Sequence, residues 1–303
     1  MPEPSFLSAD GEIPRSRFSR VGVLVNPAAG GVSADAPEQA RAVLASLRVP
    51  QAEVVQVAGA DVDAGLREIH AGAFDVVAVL GGDGTASAAA RMADLDGPPL
   101  LILPGGTMNL LPHALHGRVD WQTALRNGLA QGEARTIVGG LVERDPFFVA
   151  AIFGSPAFYA FGREALRKGR LAAAWRQFRY ALARSLQRKL AVRADKGALI
   201  RVEALALLCP AFDRALEAPP GLEWAGVDAR SGFDVVRLGL HALFDDWRKD
   251  ESVIRKRCIT AQARARGRIP ALLDGEPKVY RDKVHVRLRV NAAHVIASRR
   301  SGA

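Results

Sequence analysis

AVLGGDGTASAA, residues 78–89, joins a short apolar run to a segment of small residues through three glycines and one aspartate. The run DVVAVL (75–80) lacks polar alternation and reads as a strand buried on both faces. TASAAARMA (85–93) reads as the helix that follows. Gly81 and Gly82 allow positive φ and let a ligand approach the backbone. Thr85 is placed to cap the helix and leave its first amides free, and free amides at a helix start attract phosphate. Asp83 alone would repel phosphate. Its presence makes sense if Mg²⁺ sits between them, or if it accepts a proton from an attacking hydroxyl. Taken alone, Gly-Gly-Asp-Gly is more often a tight strand-to-helix turn.

The flanking chain changes that balance. RVGVLVNP (20–27) is a second apolar strand ended by Asn-Pro, and VVQVA (54–58) and PLLILP (99–104) are two more. Helical patterns cover 34–48, 62–71 and 120–131. Alternating strands and helices, with strands apolar on both faces, predict a parallel sheet covered by helices. Two further strands end in small-residue loops, NPAAGG (26–31) and LPGGTMN (103–109). The carboxyl ends of parallel strands share one edge, where ligands bind. Three such loops converging there favour a nucleotide site over three independent turns. The other phosphate and nucleophile loops, G-x-x-x-x-G-K-[ST], G-x-G-x-x-G and G-x-S-x-G, do not occur.

Beyond residue 134 the pattern becomes strand after strand: ARTIVGGLVE, PFFVAAIFG, LIRVEALALL, FDVVRLGL, CITAQARA, IPALLDGE and KVHVRLRV, several alternating apolar with polar. This predicts an antiparallel β domain, with a further short helix over 239–250. The expected plan is α/β plus β: a flexible leader at 1–17, an α/β nucleotide-binding domain at 18–133 and an antiparallel β domain at 134–291, which a basic helical insertion at 158–193 interrupts.

In order along the chain, Asn26-Pro27-Ala28-Ala29-Gly30-Gly31, Gly81-Gly82-Asp83-Gly84-Thr85, Pro104-Gly105-Gly106-Thr107-Met108-Asn109 and Asp274-Gly275-Glu276-Pro277 resemble the diacylglycerol kinase catalytic family of lipid kinases. That family includes bacterial lipid kinases and the sphingosine and ceramide kinases. Gly-Gly-Asp-Gly alone is shared with NAD kinases; Asn26-Pro27 and Leu-Asp-Gly-Glu-Pro favour the lipid branch. The resemblance implies a three-layer nucleotide-binding domain, joined by 292–303, followed by a β-sandwich at 134–291, and γ-phosphoryl transfer from MgATP to a primary hydroxyl of a membrane lipid, of diacylglycerol or ceramide type. It implies a nucleotide pocket lined by Asn26, Gly82, Asp83, Gly84 and Thr107, with Pro27, Gly30, Gly31, Gly81, Thr85, Gly106 and Asn109 completing its loops. It places Asp274 and Glu276 at the reacting centre, with Glu276 as base and Asp83 as the metal ligand or alternative base. Two departures stand out: Asn109-Leu110 where many relatives have Asn-Asp, and an altered loop at 228–234 that puts a structural Mg²⁺ there in question. An NAD kinase-like soluble-substrate enzyme and a non-catalytic lipid or nucleotide sensor are the alternatives.

The net charge of +9 equals that of the segment Arg163–Arg193 alone, which holds ten bases and the single acid Glu164; the remainder has 31 of each. Leu171, Trp175, Phe178, Leu182, Leu186 and Leu190 repeat at helical spacing beside these bases. The pattern fits an amphipathic helix on an anionic membrane surface, or a core-packed helix with a basic outer face. Nucleic acid ranks below both, for want of a recognisable module. The expected location is cytoplasmic, peripheral to the inner membrane, and a homodimer is an open option. Cys209 and Cys258 lack metal spacing and read as reduced buried thiols. His113 and His116 follow the third loop and read as structural, with substrate contact as the alternative.

Overall fold

The computed structural model describes residues 15–57, 61–93, 96–154, 189–209, 221–227 and 253–298. The start of the leader, most of the basic insertion, the strand FDVVRLGL, the 239–250 helix and the 228–234 loop lie outside the described residues. The fold is mixed α/β, and the chain divides into two compact units, 1–137 with 291–303, and 138–290.

The first unit alternates β1 (Arg20–Val25), α1 (Ala36–Ser46), β2 (Gln51–Gln56), α2 (Val62–Ala71), β3 (Val76–Gly81), α3 (Asp83–Met92) and β4 (Leu100–Pro104). Then come α4 (Leu110–His116) and α5 (Trp121–Gln131). The strands are parallel in the order β4-β3-β1-β2. β1 leads to β2 on one side, and β3 to β4 on the other. The order therefore reverses between β1 and β3, the position at which open α/β sheets take ligands. β3 is buried along its whole length. Val76, Ala78 and Leu80 pack with Ala40, Val43 and Leu44 of α1 and Leu125 and Leu129 of α5. Val77 and Val79 point to the opposite face and are equally buried. Two-sided burial is why β1, β3 and β4 carry no polar alternation; the edge strand β2, expected to be apolar on both faces, is instead largely exposed and carries Gln51, Glu53 and Gln56.

The second unit is antiparallel among its described strands. β5 (Glu133–Val142) enters it; β6 (Asp145–Phe147), β7 (Ala150–Gly154), β8 (Leu190–Ala194), β9 (Ile200–Val202), β10 (Ala204–Leu208), β11 (Leu222–Val227), β12 (Val253–Cys258), β13 (Thr260–Leu273) and β14 (Glu276–Ala297) follow. The path runs β12-β11-β10-β7-β13-β14, with β8 and β9 beside the start of β13. Phe147, Phe153, Trp224, Leu205 and Val284 anchor its core. Cys209 and Cys258 are both free and buried. Burial pushes both thiols up, Cys258 to about 12, which leaves them unreactive at neutral pH.

Several expectations need correction. Leu190–Arg193, assigned to the basic helix, lie in β8: Leu190 and Val192 are buried while Arg193 is exposed, a two-residue period that the helical spacing masked. α4 was unrecognised, although Pro112 in its first turn and Gly117 at φ 79° after its end are ordinary helix boundaries. CITAQARA and IPALLDGE form one strand, β13, interrupted only by an irregularity between Arg264 and Arg268. LEWAGV, overlooked, is β11.

Candidate functional site

The three glycine loops leave adjacent strands. β1 ends at Val25, β3 at Gly81 and β4 at Pro104, in register. The Asn26 amide donates to the Leu80 carbonyl at 2.8 Å, which ties the first loop to the second.

Asn26 is buried and fully engaged. Its Nδ2 donates to Thr85 Oγ1 at 2.9 Å, and its Oδ1 accepts from the Ala28 amide at 3.1 Å. The second contact is an Asx-turn, which shapes the chain through Pro27. Thr85 is therefore not the helix cap. It sits within the first turn of α3, buried, with Gly82 at the N-cap position and no side chain capping the helix. The first helical bond is from the Ala86 amide to the Gly82 carbonyl. The amides of Asp83, Gly84 and Thr85 precede it and lack intrahelical partners, as helix geometry requires. The uncapped start expected from the sequence is present, with a different residue as its reason.

Asp83 ties the second loop to the third. Its Oδ2 accepts from the Met108 amide at 3.1 Å and its Oδ1 from the Leu110 amide at 3.3 Å. Each oxygen retains a lone pair. Asn109 has left-handed backbone (φ 49°), and its side chain closes the loop on Gly106: the Gly106 amide donates to Oδ1 at 2.6 Å, and Nδ2 donates to the Gly106 carbonyl at 2.9 Å. The Gly31 amide donates to the Gly105 carbonyl at 3.1 Å. Sequence reading missed Gly105 and the Leu110 amide. Leu110 was notable only as an absent acid, yet its N–H is a partner of Asp83.

The glycines fall into two groups. A Cβ on Gly106 would stand 2.9 Å from the Asp83 nitrogen, and one on Gly105 2.8 Å from the Gly81 oxygen. One on Gly31 would stand 3.0 Å from the Gly105 oxygen, and one on Gly81 2.6 Å from Thr85. Gly31, Gly105 and Gly106 are glycine because the loops press on each other, and Gly81 because the first turn of α3 folds back against it. Gly82 and Gly30 differ. A Cβ on Gly82 would meet only Ala29, at 3.6 Å, and one on Gly30 would meet nothing within 4 Å. Gly82 has φ −75°, open to any residue. The fold does not demand glycine at either position, and both face open space. Thr107 is exposed at the tip of the third loop.

His116 is structural. It is buried, with Nε2 3.1 Å from the Ile102 carbonyl and Nδ1 2.9 Å from Ser298 Oγ. Burial pushes it down to about 4, against the Ile102 carbonyl, which favours the charged form. His113 is half-buried and lowered by burial first, then by Arg118, with Asp83 acting the other way.

Asp274 and Glu276 belong to the second unit. Asp274-Gly275 is a two-residue hairpin between Leu273 and Glu276, with φ 47° and 91°, the type I′ turn that Asp-Gly prefers. The Asp274 carboxylate is buried. Oδ2 accepts from the Phe148 amide at 2.7 Å, and Oδ1 from Val149 at 2.8 Å and Ala150 at 2.9 Å. Three amides on one carboxylate make it an anchor of the turn and do not present it as a free acid. Glu276 is the exposed first residue of β14. A hollow of about 570 Å³ in this unit, rimmed by Arg193, Gln262, His285 and Arg287, contains none of the predicted site residues.

Comparison with known proteins bears on the loops. A family model described as the diacylglycerol kinase catalytic domain matches residues 20–141. Three solved structures from Bacillus anthracis strain Sterne, one described outright and two provisionally as diacylglycerol kinases, are 16–17% identical. They cover 93% of this chain and 98% of their own, at TM-scores of 0.65–0.66. At that identity the likeness speaks for the fold. No curated protein matches. The part of the chain that carries all three glycine loops, residues 20–141, is thus the part that is similar to the diacylglycerol kinase catalytic domain.

Proposed function

We propose that the protein is an ATP-dependent lipid kinase that transfers the γ-phosphoryl of MgATP to a primary hydroxyl of a membrane lipid, of diacylglycerol or ceramide type. The observation that carries this reading is the pair Gly82 and Gly30: two glycines on the loop edge that the fold does not require, beside an uncapped helix start. Phosphate oxygens have what they need there, namely clearance and unpaired amides.

Among the described residues no group of three or more His, Cys, Asp and Glu could hold a metal. Mg²⁺ carried in with a nucleotide takes one or two carboxylates and completes its shell with phosphate and water. Asp83 is the residue that would hold it, and the ion, when bound, would neutralise charge on the transferred phosphoryl group. Asn26 and Thr85 fix the second loop against the first, and Asn109 fixes the third, so that the amides are positioned before the nucleotide arrives. Glu276 is proposed as the base that takes the hydroxyl proton. Of the two acids in its turn it is the exposed one, whereas Asp274 holds the turn's shape. The second unit is proposed as the sandwich-like lipid-substrate domain.

The test is transfer of labelled γ-phosphate to a panel of diacylglycerol, monoacylglycerol, ceramide, sphingosine and NAD. Labelled lipid is expected with the wild type, and at least a hundredfold less, roughly, with Asp83→Ala and Glu276→Ala. Label in NAD alone would make the enzyme a soluble-substrate kinase. Nucleotide binding with no turnover on any acceptor would make it a sensor. Equal turnover by both variants would reject the residue assignments.

A further inference from the structure

We infer that the outward face of β9, β8, β13 and β14 is a docking surface for an anionic phospholipid bilayer. The inference deepens the lipid-kinase reading by naming the surface that meets the membrane. It stands on the second unit's own residues, apart from the basic insertion.

The inward positions of these strands, Val192, Val202, Ala261, Ala263, Val284 and Val286, are buried in the core. The outward positions between them are exposed and basic: Arg193, Arg201, Arg264, Lys283, Arg287 and Arg289. Register aligns them. Ala191 pairs with both Arg201 and Arg264, and Arg264 with Lys283; Arg193 pairs with Gln262, and Gln262 with His285; Thr260 pairs with Arg287. Paired strands lie about 4.8 Å apart, so the directly opposed Arg264 and Lys283 stand within one screening length of each other at ordinary salt, and the other cations follow at one or two such lengths. None of the six has a carboxylate at ion-pair distance among the described residues.

The acids beside these cations hold backbone amides, Asp282 among them, which accepts from the Gly267 amide at 2.8 Å. Glu143 accepts from the His285 amide at 2.7 Å. Asp195 accepts from the Ile259 and Thr260 amides at 3.0 and 2.8 Å. Like charges directly opposite each other destabilise a sheet, yet Arg264 faces Lys283, and the same hairpin sets Arg268 opposite Arg281. An anionic partner relieves that repulsion. Five of these six cations, all but Arg193, belong to the part of the chain that is neutral by total charge, and segregation onto one sheet face gathers them into a second basic centre.

Apolar side chains at the end of this face select the bilayer over nucleic acid. Ile259 is 60% exposed and Leu199 48%. Asp195, in the turn that leads to Leu199, accepts the Ile259 and Thr260 amides, which ties that turn to the start of β13. Cations beside exposed aliphatic residues, with no Phe, Tyr or Trp among the described residues of this face, match an interfacial surface and not a strand-binding groove. The hollow rimmed by Arg193, His285 and Arg287 opens on the same face, and its size admits a phosphodiester headgroup.

The test is sedimentation of the full chain, without ATP, with vesicles of phosphatidylcholine alone and of equal parts phosphatidylcholine and phosphatidylglycerol. The face variant carries Arg193→Glu, Arg264→Glu, Lys283→Glu and Arg287→Glu. A control of equal net charge carries Arg41→Glu, Arg48→Glu, Arg67→Glu and Arg91→Glu. The wild type should bind only the anionic vesicles, less as salt rises. The face variant should lose at least about tenfold in affinity while the control keeps most of it. Should the face variant fail to unfold cooperatively, amine labelling of Lys283 in the wild type replaces it, and anionic vesicles should protect that lysine. Unchanged binding by the face variant, equal loss in the control, or an unprotected Lys283 would overturn the inference. Capture of a DNA duplex in place of the vesicles would too. Because no turnover enters, the surface can fail while the kinase reading stands. Conversely, the kinase reading can fail on detergent-dispersed lipid while docking persists.

Discussion

At the residue scale, the glycines separate packing from chemistry. Gly82→Ala places a methyl group at ordinary contact distance from Ala29, so stability should change by no more than about 1 kcal/mol. The same methyl fills the clearance proposed for phosphate, and MgATP affinity by titration calorimetry should fall at least tenfold, roughly. Gly106→Ala should instead lower the melting temperature, because its Cβ meets the Asp83 backbone nitrogen at 2.9 Å and backbone cannot yield as a side chain does. Unaltered nucleotide affinity in Gly82→Ala would remove the ligand from that face. Asp274→Asn puts an amide group where the carboxylate accepts from three N–H groups. Denaturant unfolding should show a loss of about 3 kcal/mol. Much of this scale could be read in the sequence: the glycines and Asp83 declare a loop that admits a ligand. What could not be read is which glycine answers to which demand, because that depends on contacts between loops some 25 to 75 residues apart.

At the element scale, α4 is the least legible piece and has the clearest pH signature. Its seven residues are too few for helical periodicity to register. Its start is held by Asp83 and its end by His116, which bridges the Ile102 carbonyl of β4 and Ser298. His116 titrates near 4 in the folded chain and near its ordinary value of 6.5 when unfolded. Between those values the unfolded state binds the additional proton, so stability rises with pH across the window and falls as acid is added. The contribution is complete above about pH 6.5 and gone below about pH 4, roughly 3 kcal/mol in all. His116→Gln should flatten that part of the stability–pH curve while lowering stability at pH 7; an unchanged slope would return the titration to other groups. β8 was misassigned for a related reason. Its alternation is short, and the basic residues around it also satisfy a helical spacing.

At the scale of the whole molecule, the chain leaves the first unit near residue 137 and returns to it at 291. The parallel sheet was legible because β1, β3 and β4 are buried on both faces, whereas the edge strand β2 is largely exposed. The return was foreshadowed only by family resemblance, since NAAHVIA is too short to announce its neighbour. In the structure Val295 pairs with Leu100 of β4, and Ala292, Ala293, Val295 and Ile296 are buried. A chain ending at residue 290 would expose the β4 edge and these contacts. Thermal unfolding should show the first unit melting at least 10 °C lower, roughly, or the protein aggregating. A truncated chain that melts like the full one would show the returning strand to be dispensable.

The central claim is that nucleotide phosphates settle on the loops after β1, β3 and β4, and hydrogen exchange with and without MgATP tests it most directly. Protection should concentrate in 26–31, 81–86 and 104–110, and should vanish in Gly82→Ala. Saturating MgATP that leaves those three segments exchanging as they do in the free protein would contradict it.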